Sequence, residues 1–217
     1  MSLEILYEDN HIIVVKKPVG ILSQEDATKD MDMLTLLKHY IKDKYNKPGN
    51  VYLGLVHRLD RMTGGVMVFA RTSKAASRLN EQIKNGEFSK KYYAIVKGII
   101  PKGGRLENYL IKDEQLVKSF VGNERNGKLA ILDYEVIKTL NDTTLVDVSL
   151  KTGRHHQIRV QFSHINHPLI GDKLYGENTK CDMCLYAYGL SFNHPVTKER
   201  LSFEAIPNHS IWNKYFE

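Results

Sequence analysis

The sequence predicts an α+β fold with a mostly antiparallel central sheet and flanking helices and loops. Three observations carry this: strand-like runs are many, helical patterns are few, and the strands are joined by hairpin-type connections. "EILYEDNHIIVVKKPVGIL" opens with a short strand, turns at "EDN" and continues as a β-branched strand over residues 12–15. Pro18 and Gly20 break that strand. "MDMLTLLKHYIKDKY" is a helix, with Leu34, Leu37 and Ile41 at i, i+3, i+7, closed by "NKPGN". "VYLGLVH" alternates as a strand with Val51, Leu53 and Leu55 on one face. The loop "RLDRMTGG" follows, then the strand "VMVFA".

Ser73 is the expected N-cap of "KAASRLNEQIKN", with Ala76, Leu79 and Ile83 as its buried stripe and Gly86 past its end. "KKYYAIVKG" is a strand ended by Gly98. "AILDYEVIKTLNDTTLVDVSLKTG" is a hairpin turning around Asn141-Asp142. "HHQIRVQFSHI" places Ile158, Phe162 and Ile165 at helical spacing, in a helix expected to open near Arg154. "LYAYGLSF" and "ERLSFEAI" form a final antiparallel pair joined through "NHPVTK".

The 217 residues are 42% hydrophobic, an ordinary globular composition. They suit one large domain or two small lobes sharing a sheet, and a chain of this size buries about 70% of its unfolded surface. Cys181 and Cys184 form a lone CxxC, too few for a disulfide scaffold and consistent with a reducing compartment. There is no secretion signal, and no apolar run approaches the roughly 18 residues of a membrane span. The expectation is a soluble, cytoplasmic protein. A net charge of +6 and a pI near 9.1 favour a polyanionic partner.

Three clusters could carry chemistry. In "HRLDRMTGG", Asp60 is a lone acid between Arg58 and Arg61, with Gly64 and Gly65 permitting a positive-φ turn before a strand. Asp60 either caps the turn or pairs with Arg58, or else is a nucleophile held ionised by its neighbours. In "SKKYYAIVKG", adjacent tyrosines point to opposite faces, so at most one lines a given site. In "TGRHHQIRVQFSHINHPLIGDKLYG", Arg154 and Arg159 roughly share a helix face that is either solvated or phosphate-binding. Histidines 155, 156, 164 and 167 lack the i, i+4 spacing and the acid of a zincin, and a lone CxxC is a weak zinc signal. No metal site is expected. No P-loop, GxGxxG or GxSxG is present.

Taken in order, the clusters resemble the RluA-type family of pseudouridine synthases. "HRLDRMTGG" is similar to the family's HRLDxxTSG, and "KKYYAIVKG" to KxYxAxVxG, which makes Tyr92 the motif tyrosine. "TGRHHQIRVQ" resembles TGRxHQIRxH, and "HPLIGDKLYG" resembles HPIxGDxxYG. The likeness covers nearly the whole chain. Gly64 replaces a usual serine and Gln161 a usual histidine.

The resemblance implies one catalytic domain over residues 1–217, two lobes sharing one sheet around an RNA-binding cleft, without the N-terminal S4 domain many relatives carry. It implies isomerisation of uridine within RNA, ribosomal or transfer, by a monomer needing no cofactor, membrane or protein partner. Asp60 maps to the family's catalytic aspartate, which attacks C1′ or removes the C2′ proton. An arginine within about 4–6 Å keeps a carboxylate charged when water is expelled, and the resemblance makes Arg159 that partner. Tyr92 would stack on the target base. Arg58 would fill the space left by the extruded uridine, and Arg61, Lys90, Lys91 and Arg154 would hold the RNA backbone. Two other readings are an inactive RNA-binding protein or chaperone of the same fold, and a metal-dependent hydrolase using the histidines.

Overall fold

The structure, a computed structural model, describes residues 3–177, 181–208 and 210–216. The chain forms two compact units: Met1–Ser89 with Ala187–Ile206, and Lys90–Tyr186 with Pro207–Glu217. The fold is α+β, and every ladder described within the units is antiparallel.

In the first unit, β1 (Glu4–Glu8) and β2 (Ile12–Lys17) form the expected hairpin. Asp9 makes the turn: its Oδ1 accepts the N–H groups of His11 and Ile12 at 2.7 and 2.8 Å. β2 pairs with β4 (Gly64–Ala70), whose other neighbour is β10 (Leu185–Asn193); β11 (Arg200–Glu204) pairs with β10. All seven residues of β4 are buried, which explains its unbroken apolar run. Ile12, Val14, Val66 and Val68 pack with Ala75 and Leu79 of α2 (Ser73–Lys84) on one face. Ile13, Val15, Met67 and Phe69, on the other face, are equally inaccessible. α1 (Met33–Lys44) is capped by Asp32, which accepts the Thr35 N–H at 3.0 Å.

Two expectations change here. Thr72, not Ser73, caps α2, its hydroxyl accepting the Ala75 N–H at 3.1 Å. The strand expected over residues 51–57 shrinks to β3 (Gly54–Leu55), two rungs against β4. The Val68 N–H, which a further rung would use, donates instead to His57 Nε2 at 3.2 Å.

In the second unit the strand order is β5 (Ser89–Lys97), β9 (Thr143–Leu150), β8 (Lys128–Leu140), β6 (Gly104–Asp113) and β7 (Lys118–Gly122). The β8–β9 hairpin turns through Asn141 at φ 52°, as expected. β6 and β7 fall where the sequence suggested no element. α3 (Gln157–His164) opens three residues later than expected, from His156 at φ 54°. Arg154 therefore precedes the helix and shares no helix face with Arg159. A last helix, α4 (Ser210–Phe216), was not anticipated; it buries Trp212, whose ring lies edge-on to Tyr186. Among the described residues no helix is long and apolar enough to cross a membrane.

Candidate active site

Asp60 lies in the turn between β3 and β4, half-buried, and its carbonyl accepts the Thr63 N–H at 3.0 Å. Both of its chain neighbours are fixed. Ser23 Oγ donates to Leu59 O at 2.7 Å and accepts the Leu59 N–H at 3.0 Å. On the other side, Lys17 Nζ donates to Arg61 O at 3.1 Å, to Pro18 O at 2.9 Å and to Ile21 O at 2.6 Å. The Gly20 N–H also reaches Arg61 O, at 2.9 Å. The turn that carries the carboxylate is therefore held on both sides.

Lys17 is only 1% exposed. Burial pushes its amine down to about 7; the Asp60 carboxylate opposes that shift and Arg61 adds to it. Asp60 thus has a basic group within electrostatic reach in its own unit, and sequence reasoning missed it. The signal was present: Ile13, Val15 and Lys17 alternate along β2, which puts the lysine on a buried face.

The glycines after the loop do unequal work. Gly65 has φ +126°, and a Cβ there would stand 2.1 Å from Ala187 O. It is demanded by the close approach of β10 as well as by its backbone angle. Gly64 is not among the positive-φ residues.

Arg58 is exposed. The Arg61 side chain is engaged, donating to Asp30 at 2.6 Å and to Gly20 O at 3.1 Å.

In the second unit Tyr92, opposite Val148 on β5, is 7% exposed, while Tyr93 is half-buried with its ring 5.1 Å from Phe216. Lys91 is exposed and reaches Asp147 at 3.4 Å. Lys90 is half-buried, its amine lowered first by burial and then by the charge of Arg154.

Arg159, on α3, donates Nε and Nη2 to the two oxygens of Asp172 at 2.7 and 2.8 Å. Burial alone would raise the Asp172 carboxyl. The Arg159 hydrogen bonds and charge, with the N–H groups of Leu174 and Tyr175, outweigh burial and hold it below the usual carboxylate range. The guanidinium also lies 5.0 Å from the Tyr175 ring centre. The Tyr175 hydroxyl accepts the Ser119 N–H at 2.7 Å and pairs with His156 Nδ1 at 2.9 Å. Sequence reasoning assigned nothing to Asp172 or Tyr175, although both stand in the quoted "HPLIGDKLYG".

Gln161, which departs from the family pattern, is fully buried and donates to Asn108 Oδ1 at 2.9 Å and Ala130 O at 3.2 Å. It ties α3 to β6 and β8. The histidines scatter: His155 stacks on His156 at 3.7 Å, and His167 Nδ1 meets Lys97 O at 2.7 Å. Among the described residues no three His, Cys, Asp or Glu side chains are placed to hold a metal ion.

Comparison with known proteins supplies the class. The family model described as RNA pseudouridylate synthase matches residues 11–164. Human RNA Pseudouridylate Synthase Domain Containing 4 superposes with a TM-score of 0.79 at 23% identity, over 95% of this chain and 89% of that one, a likeness of fold. The ribosomal large subunit pseudouridine synthase D of Pseudomonas aeruginosa is 35% identical, over 98% of this chain and 71% of the relative. The protein of that name from Yersinia pestis is 38% identical over 81% of this chain, which spans 53% of the relative's length. An uncharacterized RNA pseudouridine synthase from Aquifex aeolicus is 35% identical over 94% of this chain and 69% of the relative. Fold and site motifs thus define an RNA-modifying isomerase. The chain belongs to the RNA pseudouridylate synthase family, as an RluA-type catalytic domain.

Proposed function

We propose that this chain converts specific uridines in structured RNA to pseudouridine, with Asp60 as the catalytic carboxylate and no cofactor. The supporting observation is the anchoring of Asp60 through Leu59 and Arg61 by Ser23 and Lys17. The N1–C1′ bond breaks, the uracil turns, and C5 bonds to C1′. Asp60 opens the sequence by attacking C1′ or by removing the C2′ proton; both routes start from an ionised carboxylate.

Extruding the uridine costs a few kcal/mol. Arg58, exposed beside the loop, takes the vacated place in the stack. Tyr92 offers its ring to the base. Arg159, oriented by Asp172, supplies the guanidinium that the family motif assigns to the carboxylate. Large-subunit ribosomal RNA is favoured as substrate by the names of the relatives, with transfer RNA as the second class.

The test is Asp60→Asn. Tritium release from C5-tritiated uridine in RNA should vanish while RNA binding persists, and pseudouridine mapping should lose one or a few sites. RNA binding by the parent without any tritium release would return the chain to the RNA-chaperone reading.

A further inference from the structure

Of the cations the sequence assigns to RNA, two already have acids: Arg61 has Asp30 at 2.6 Å and Lys91 has Asp147 at 3.4 Å. Lys90 and Arg154 have no ion-pair partner among the described residues, and the charge that bears on Lys90 is that of Arg154 itself. Both are fixed. Lys90 sits opposite Leu150 at the start of β5. A Cβ on Gly153 would stand 3.0 Å from Lys90 Nζ, so the amine lies close against the bare Cα of that glycine. Gly153 has no positive φ; close approach is what it permits.

Arg154 follows directly, its Nε donating to Leu129 O at 2.8 Å and its N–H to Gln157 Oε1 at 3.0 Å. Gln157, 3% exposed, also accepts the Thr152 hydroxyl at 2.8 Å and donates to Ile131 O at 3.1 Å. The turn through residues 152–154 is therefore braced from beneath. Two like charges held together on a rigid support, one of them half-buried, are unfavourable until an anion arrives.

We propose that Lys90 and Arg154 form one seat, over Gly153, for a single RNA phosphodiester. Lysine supplies a point charge and arginine a fork, the pair of geometries suited to one phosphate. The seat rests on the reading of RNA as substrate but not on turnover.

The test is binding of a fluorescein-labelled RNA stem-loop by anisotropy across a salt titration, in an Asp60→Asn background. Lys90→Met and Arg154→Met should each weaken binding. In the double variant the slope of log K against log salt should shrink by about 0.7–0.9 in total, the loss of one phosphate contact.

A double-variant slope equal to the parent's, or a loss of about twice that amount, overturns the proposal. So does no RNA binding by the parent. The catalytic reading fails on a different measurement: RNA bound through this seat with no pseudouridine formed would refute that reading and keep the seat.

Discussion

A lysine with 1% of its surface exposed is tolerable only if its hydrogens are all used. Lys17 uses three, on three carbonyl oxygens, and one of them belongs to the residue after Asp60. Lys17→Met would leave those carbonyls short of a donor and release one side of the turn that carries Asp60. We expect about 3 kcal/mol less stability by urea unfolding and a fall in kcat larger than any change in KM. An unchanged kcat would mean that Ser23 and the backbone hold the turn alone. Asp60, Tyr92 and Arg159 were candidates from the sequence because each stands inside a local pattern. Lys17 was not, because the acceptor that matters lies 44 residues away. A similar local argument separates the two thiols. Burial pushes the Cys184 thiol up to about 12, so alkylation at neutral pH should mark Cys181 first, as read by peptide mass.

At the scale of elements, β4 is the strand that aims the loop, and Gly65 is its constraint. A methyl group there would meet backbone, not a flexible side chain. Gly65→Ala should cost more than about 3 kcal/mol and lower activity with it, measured by thermal unfolding and tritium release. α3 depends in the same way on Asp172. Removing one partner of a buried pair strands the other, so Asp172→Asn should destabilise by about 3–5 kcal/mol. The sign with pH follows from its lowered carboxyl. The unfolded chain takes up that proton first, so the stability it contributes is present above roughly pH 3.9. That contribution is lost as pH falls from there through the folded value, and Asp172→Asn should lack this part of the acid limb. β4, β5 and the β8–β9 hairpin were legible because burial imposes a clear apolar pattern. β6 and β7 were not: most of their residues are exposed or half-buried, and the pairing of β6 with β8 and of β7 with β6, rather than a hydrophobic face, defines them. α4 escaped notice because it is short, though Trp212 and Tyr215 bury it.

For the whole molecule, the fold class followed from counting strands and hairpins, since backbone pairing is forced wherever apolar runs alternate. The grouping of residues 187–206 with residues 1–89 was beyond such counting, because nothing local marks a returning segment. What remains at this scale is the balance of the proposed reaction. Uridine and pseudouridine have the same atoms and the same oxidation state, so no electron, hydride or transferred group has to come from outside. The work left to the protein is to expel the base from its stack, hold it, and move protons, and carboxylate, phenol and guanidinium suffice for that. Turnover should therefore survive exhaustive dialysis against a chelator unchanged, measured as initial rates of tritium release before and after treatment on RNA refolded in monovalent salt. A rate that falls with chelation and returns with one added divalent ion, on RNA whose own fold does not need that ion, would show that the chain recruits a metal. The histidine-rich segment around α3 would then be the place to look for its ligands.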